Sequence, residues 1–420
     1  TVDVLDACGQ RGIKAVTIIS GGFREVGKEG LVLEERCLDV ARHYGMRLIG
    51  PNCVGTMDLH SGLNTTFIHG VPDQGHIGFI SQSGAICGGV VDYIRGKRVG
   101  FSHFISLGNE ADISETDMIE YLGSDPNTRV IAAYVEAIRD GQRFIEVARQ
   151  VSKEKPIVMI KAGRSNAGAR AVSSHTGSLA GAYAAYQAAF EQSGVIEVDQ
   201  VADLFDVALA LSFQPIPTGN RTVILTNAGG PAALASDSLA ANGLRLEDLT
   251  PETSHSLREK LNPSAQVTNP VDMLGGAEPH EYRASLDLIL QDSNVDIVIP
   301  ILVPQALVNP VEVAHQISEA TQNSSKTVIS CIMGDESVDG ARQVLHENHV
   351  PMFVFPEIPG QVLGAMMRYG RWKERGERHL SALVGFDEKR ARQVLEQSAG
   401  AQSMGEASTR PLLEAYGIRV

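Results

Sequence analysis

Residues 76–94 read HIGFISQSGAICGGVVDYI, and residues 221–240 read RTVILTNAGGPAALASDSLA. Each stretch opens with a short apolar run, His76 to Ile80 in one and Thr222 to Thr226 in the other, of strand length. Each then passes without a spacer into a small, polar, glycine-containing loop and on into a helix of small residues. The resemblance between the two is one of architecture, not of sequence. A helix entered this way presents unpaired N–H groups and about half a positive charge at its start, which makes it a seat for an anion. Two such seats in one chain suggest a single phosphate held from both sides.

The same alternation of apolar runs and amphipathic stretches extends outward in both directions, the pattern of parallel sheets with crossover helices. After residue 76 the spacing predicts further strands at Gly100 to Ile105, Val130 to Val135 and Ile157 to Ile160. After residue 221 it predicts them at Val295 to Val303, Thr327 to Ile332 and Met352 to Phe355. Ahead of both units, Lys14 to Ser20 reads as a buried strand, Leu31 to Tyr44 as a helix stopped by Gly45, and Met46 to Ile49 as a strand stopped by Gly50 and Pro51. Turn-rich Gly70 to Gly75 and the two-proline stretch Gln214 to Asn220 are the expected boundaries. A charged region from Arg368 to Arg392 closes the last unit. In the tail, Leu412 to Tyr416 is expected to be helical and Ile418 to Val420 to begin a strand.

A chain of 420 residues exceeds one ordinary core, and domains of roughly 100 to 200 residues put the count at two to four. Apolar residues make up 43 %, charged residues 20 % and aromatics 5 %, with 42 glycines, which excludes disordered, collagenous and coiled-coil chains. Lys and Arg number 36 against 50 Asp and Glu, a net charge of −14. No basic field exists to draw in nucleic acid or an anionic membrane, so an anionic substrate needs local devices. No run of 18 or more apolar residues is present. The five cysteines are dispersed and never paired as C-x-x-C, which points to a reducing cytoplasm.

Several motifs invite other readings. Gly22 to Glu29 (GFREVGKE) follows a phosphate-binding G-x-x-x-x-G-K-[ST] loop until its last position, where Glu29 replaces the required hydroxyl and sets a carboxylate against phosphates. Ser83 lacks the G-x-S-x-G elbow of a serine hydrolase. His346 and His349 have no third metal ligand at a zinc-site spacing, and a solvated helix face accounts for them. Two residues stay open on position alone. His175 ends a Gly, Ser and Ala-rich stretch from Gly163 to Ser174, read as a mobile loop able to carry a side chain between sites, or else as an exposed histidine near a helix cap. Glu136 sits at the carboxyl end of the strand VIAAYV, where open α/β sheets place ligands. It could orient an imidazole for nucleophilic attack, or it could be a surface carboxylate.

Taken in order, the strings IGPNCVG (49–55), GFISQSGA (78–85), SLGNEADI (106–113), YVEAIRDGQRF (134–144), IKAGRS (160–165), SSHTGSLAG (173–181), TNAGGPAALASD (226–237) and NPVDMLGGA (269–277) resemble the NDP-forming acyl-CoA synthetases. These are the ADP-forming acetate–CoA ligase type, relatives of succinyl-CoA synthetase. The resemblance implies an α/β fold. Residues 1–72 would be the last part of a Rossmann-like CoA-binding domain. Residues 73–215 would be a flavodoxin-like, doubly wound parallel-sheet domain bearing the phosphohistidine loop, and 216–380 a second flavodoxin-like domain. Residues 381–420 would be a linker and the start of a truncated ATP-grasp domain. The chain would thus be the middle of a longer enzyme.

The resemblance also implies the reaction: acid, CoA and ATP give acyl-CoA, ADP and phosphate, reversibly, through an acyl phosphate and a phosphohistidine. It assigns His175 as the phosphorylated residue and Glu136 as the carboxylate orienting it. It assigns Ser81, Ser83 and Gly84 together with Asn227, Gly229 and Gly230 to phosphate, and Gly50, Pro51 and Asn52 to the CoA thioester and acyl group. No metal ligand is assigned within the chain; ATP or ADP and Mg are expected on an ATP-grasp domain in cis or on a separate subunit. The implied partners are a small carboxylic acid, CoA and phosphate, and homo- or hetero-oligomers are expected. A competing implication is a regulatory acyl-CoA-sensing module of a protein lysine acetyltransferase, disfavoured by the histidine in SSHTGS.

Overall fold

The computed structural model describes residues 1–94, 96–176, 182–306, 308–376, 386–399 and 403–419, with only the backbone of residues 173–176. Residues Thr1–Lys373 form one compact unit and Glu374–Val420 another.

The first unit opens with α1 (Val2–Gln10), β1 (Ala15–Thr17), α2 (Lys28–Tyr44) and β2 (Arg47–Ile49). The strands pair in parallel around Leu5, Ile18, Phe23 and Leu48. Helix α2 ends at Gly45, whose φ of 63° is a left-handed conformation that glycine adopts without steric cost. A hairpin follows, β3 (Thr56–Asp58) and β4 (Leu63–Asn64), and then β5 (Asp73–Ser81). Strand β5 starts inside Gly70 to Gly75, so half of the expected boundary stretch is sheet.

The first large sheet continues through α3 (Gly84–Ile94), β6 (Gly100–Ser106), α4 (Glu115–Ser124), β7 (Val130–Val135), α5 (Gly141–Ser152), β8 (Ile157–Lys161), α6 (Asn166–Thr176), α7 (Tyr183–Ser193), β9 (Ile196–Glu197) and α8 (Val201–Phe213). Its strand order is β4-β3-β6-β5-β7-β8-β9. All neighbours are parallel except the β3–β4 and β3–β6 pairs. Helix α6 corrects the expected mobile loop. Ala167, Ala169, Arg170 and Ala171 favour a helix more than Gly168 opposes it, and the Ser165 hydroxyl accepts the Gly168 amide at 3.1 Å at the helix start.

The second large sheet is built from β10 (Arg221–Thr226), α9 (Gly229–Ala241), β11 (Arg245–Leu246), α10 (Pro251–Lys260), β12 (Val271–Asp272), α11 (Pro279–Ile289), β13 (Ile297–Leu302), α12 (Pro310–Thr321), β14 (Thr327–Val328), β15 (Ser330–Ile332), α13 (Asp339–Glu347), β16 (Met352–Phe353) and α14 (Ile358–Glu374). Its order is β11-β10-β13-β15-β16, with β12 on β10 and β14 on β13. Asn269 fills the gap between β11 and β12: its side-chain oxygen accepts the Ile224 amide at 3.1 Å and its nitrogen donates to the Thr222 carbonyl at 2.7 Å.

The two sheets share one apolar core. Phe79, Val90 and Phe205 from the first belong to the same buried cluster as Ile224, Leu239 and Met366 from the second. At its centre the Phe79 ring meets Phe101, Phe104 and Phe205 with centroids 6.3, 4.9 and 5.4 Å away. His346 and His349 do not share a helix face: His346 is half-buried in the last turn of α13, His349 lies beyond the helix and is exposed, and each ring meets Phe213 edge-on with centroids 5.1 Å apart.

In the second unit, α15 (Glu388–Gln397) and α16 (Glu406–Ala415) form a helical pair. Ile418 and Arg419 are not in a strand, and Val420 lies outside the described residues. Among the described residues no helix is long and apolar enough to cross a membrane.

Candidate active site

The two glycine loops are closed by the same hydroxyl clasp. At the end of β5, Ser81 Oγ donates to the Ser83 carbonyl at 2.9 Å and accepts the Ser83 amide at 3.1 Å. At the end of β10, Thr226 Oγ1 donates to the Ala228 carbonyl at 3.0 Å and accepts the Ala228 amide at 3.0 Å. The clasp turns the chain sharply from strand to helix and leaves the first helical N–H groups facing out of the sheet end. The helices then begin at Gly84 and Gly229. A Cβ at Gly84 would stand 2.8 Å from Val54, whereas at Gly230 it would meet nothing within 4 Å. The space over Gly230 is therefore open. Asp272 reaches the same helix end, its Oδ2 lying 3.5 Å from where a Gly229 Cβ would be.

Next to each clasp hydroxyl stands a buried side-chain amide, a correspondence between SQSG and TNAG that the sequence displays but that gains meaning only from the contacts. Asn227 exchanges hydrogen bonds with one residue at the end of β13, donating to the Val303 carbonyl at 2.9 Å and accepting its amide at 2.8 Å. Gln82 reaches the end of β7. Its Oε1 accepts the Glu136 and Ala137 amides at 2.5 and 3.0 Å, and its Nε2 donates to the Ala137 carbonyl at 2.7 Å and to Glu110 Oε2 at 2.9 Å. Glu110 Oε1 in turn accepts the Glu115 amide at 3.0 Å. Burial, and then the Glu115 charge, raise the Glu110 carboxyl well above the usual carboxylate range; burial raises Glu115 as well.

Glu136 is half-buried at the tip of β7. Lys161, at the end of β8, is buried and its register partner is Val135. Desolvation lowers the Lys161 ammonium, against the pull of Glu136 and Glu197, and its Nζ lies 4.5 Å from the centre of the Tyr186 ring. The Tyr134 hydroxyl is pushed up to about 12 by burial and by the Glu136 charge. His175 falls in the last turn of α6. Its side chain lies outside the described residues, as do residues 177–181 of the SSHTGSLAG motif.

Gly50, Pro51 and Asn52 form a tight turn with a cis Gly50–Pro51 bond and φ of 57° at Asn52. The turn is stitched to the SLGNEADI loop: the Asn109 amide donates to Pro51 at 2.8 Å and the Ala111 amide to Gly50 at 2.9 Å. That loop also touches the first clasp, through the Leu107 amide on the Ser81 carbonyl at 2.8 Å. The Asn109 carbonyl accepts from the Arg24 and Arg139 guanidiniums, and its side chain donates to Glu25 at 2.6 Å and Glu34 at 3.1 Å. Ser81, Ser83, Gly84, Glu136 and the Gly50–Asn52 turn are thus joined at one sheet end. Asn227, Gly229 and Gly230 stand at the corresponding end of the second sheet.

Residues 74–211 match the succinyl-CoA ligase like flavodoxin domain, and residues 222–376 the Ligase-CoA domain. The chain is 45 % identical over 354 residues to the alpha subunit of an ADP-forming acetate–CoA ligase II from Pyrococcus furiosus, covering 83 % of this chain and 77 % of that one. It is 40 % identical over 420 residues to an ADP-forming acetate–CoA ligase I from Archaeoglobus fulgidus, covering 99 % of this chain but 60 % of the relative. The solved dinucleotide-forming acetyl-coenzyme A synthetase 1 of Ca. Korarchaeum cryptofilum, in complex with phosphate and ADP, superposes with a TM-score of 0.84 at 37 % identity, covering 90 % of this chain and 82 % of that one. None of these findings supports a regulatory acetyltransferase module. The chain belongs to the family of ADP-forming acetate–CoA ligases.

Proposed function

We propose that this chain carries the phosphohistidine machinery of an ADP-forming acyl-CoA synthetase of the acetate–CoA ligase type. The observation that carries the reading is the pair of identically clasped strand–loop–helix turns, which gives an acidic protein two local seats for a dianion. Phosphate at these seats attacks the acyl-CoA carbonyl, giving acyl phosphate and releasing CoA as its thiol. Neutral His175 then attacks the phosphorus in line; the acyl carboxylate leaves, and Glu136 stabilises the imidazolium character of the phosphorylated ring. ADP collects the phosphoryl group as ATP and returns His175 to its neutral form.

Ser81, Ser83 and Gly84 on one side and Asn227, Gly229 and Gly230 on the other are the proposed phosphate contacts. The Gly50–Asn52 turn is proposed to lie against the thioester. Nucleotide and Mg are assigned to an ATP-grasp part outside residues 1–420, in cis or, as the relatives named as alpha subunits suggest, on a separate subunit. The domain division proposed is 1–72, 73–215, 216–380 and 381–420; the separate sheets of β5–β9 and β10–β16 support the division at 215, while β3 and β4, from within 1–72, extend the sheet of β5–β9. The dispersed cysteines support a cytoplasmic setting.

The test is phosphorylation of the intact enzyme by acyl-CoA with labelled phosphate. Acid-labile, base-stable label is expected on His175, absent in His175→Ala and reduced at least tenfold in Glu136→Gln. Full labelling of the alanine variant would remove His175 from the mechanism.

A further inference from the structure

We propose that Gln82 is a positioning residue, held by the Glu110–Glu115 pair, that fixes the Glu136 peptide relative to the Ser81–Gly84 phosphate loop. The proposal rests on the reading of Glu136 as the carboxylate that orients His175.

The ladder between β5 and β7 reaches Ser81 opposite Tyr134, and the Gln82 amide still donates to the Tyr134 carbonyl at 3.2 Å. Beyond that point β5 turns away into its clasp, and the next peptides of β7 have lost their sheet neighbour. The Gln82 side chain takes the neighbour's place. Its oxygen meets two backbone donors, and its nitrogen meets one carbonyl and one carboxyl oxygen. This donor and acceptor pattern admits only one orientation of the amide. Because Gln82 lies between the two clasp serines, the same residue that ends the phosphate loop also sets the height of Glu136 above the sheet.

Asn227 shows that the device recurs, and the difference between the two copies explains the acids. Asn227 is one methylene shorter and closes on a single residue, Val303. Gln82 spans both Glu136 and Ala137, and its second amide hydrogen points inward, where Glu110 receives it. Gln82, Glu110 and Glu115 are 9, 5 and 1 % exposed, so water cannot substitute for a missing member. An unpaired buried polar group there would pull the β7 tip out of place.

The experiment uses the intact enzyme and compares Gln82→Leu, Glu136→Gln and the double variant by two measurements: the rate of His175 phosphorylation and hydrogen exchange at amides 136 and 137. Gln82→Leu is expected to slow labelling roughly tenfold and to release protection at those amides, while the double variant labels no more slowly than Glu136→Gln. Gln82→Asn, which copies the Asn227 arrangement, restores part of the rate, and it replaces the leucine variant should that one not fold. Multiplying effects in the double variant, or unchanged protection at residues 136 and 137, overturns the positioning role alone. Wild-type labelling in Glu136→Gln overturns the role of Glu136, and the positioning claim with it.

Discussion

Gly108 packs directly on Asn52: a Cβ at residue 108 would lie 2.3 Å from the Asn52 carbonyl oxygen and equally close to that of Pro51. Its φ of 58° is in the left-handed region. Both restrictions arise from one need, to press the loop after β6 against the Gly50–Asn52 turn. Gly108→Ala is therefore expected to destabilise the fold by more than about 1 kcal/mol and to raise the KM for CoA severalfold. Thermal unfolding and steady-state kinetics check the two effects. An alanine variant with wild-type values for both would separate the turn from the thioester.

Gly230 offers the converse case. A methyl group there meets no protein atom within 4 Å, and in the first turn of α9 alanine is favoured over glycine by roughly 0.5 to 1 kcal/mol. Gly230→Ala should leave the unfolding temperature unchanged or raise it, while the KM for phosphate rises at least tenfold through contact with the bound anion. Unaltered phosphate kinetics would show that this helix end does not face the substrate.

Asp206, on α8, gives a pH signature. Burial pushes its carboxyl up to about 6 from an ordinary 3.8, against the pull of Lys97, with Asp203 adding to the rise. A raised carboxyl means that the folded state binds the extra proton. The associated stability is present below the unfolded value and is lost as pH rises through about 6. Asp206→Asn cannot lose that proton. Relative to wild type, the variant is expected to gain about 2 to 2.5 kcal/mol between pH 4 and pH 7, since two pKa units at about 1.4 kcal/mol each are lost over the whole window and pH 4 already lies just inside it. Denaturant unfolding at the two pH values measures the difference, and equal shifts at both would discard the assignment.

The Tyr369 hydroxyl donates to the Ser152 carbonyl at 2.7 Å, joining the last helix of the second sheet to the first sheet's α5. Tyr369→Phe should cost about 1 to 2 kcal/mol, because a buried carbonyl loses its partner. Unfolding should remain a single transition, since the apolar core is common to both sheets. Two resolved calorimetric steps would contradict that continuity.

Long apolar strands were legible in the sequence because burial on both faces writes a continuous run: Val130 to Val135 is observed as β7 with the expected ends, and Ile157 to Ile160 gains only Lys161. The β3–β4 hairpin was not legible, because TMD and LN carry no period of their own and pair only once β6 supplies a neighbour. Helix α6 was hidden by its glycine and serines, which composition assigns to a loop. The hydroxyl and glycine positions of both clasps stand out as residue types. The importance of Glu110 and Glu115 does not, because a glutamate reads as surface until the fold buries it. Asp272 is another such residue, placed beside Gly229 only by the pairing of β12 with β10, which sets it opposite Thr226.

A core shared by both sheets has a consequence for the chain between them. Thr218 is exposed within the short connection from α8 to β10, while Gln214 is anchored to the second sheet by the Val328 amide on its side-chain oxygen at 2.9 Å. Covalent continuity at Thr218 is then not what keeps the Ser81 and Thr226 turns in register. A protease nick at that residue would leave two fragments that stay associated and co-purify, with both turns still aimed as they are in the unbroken chain.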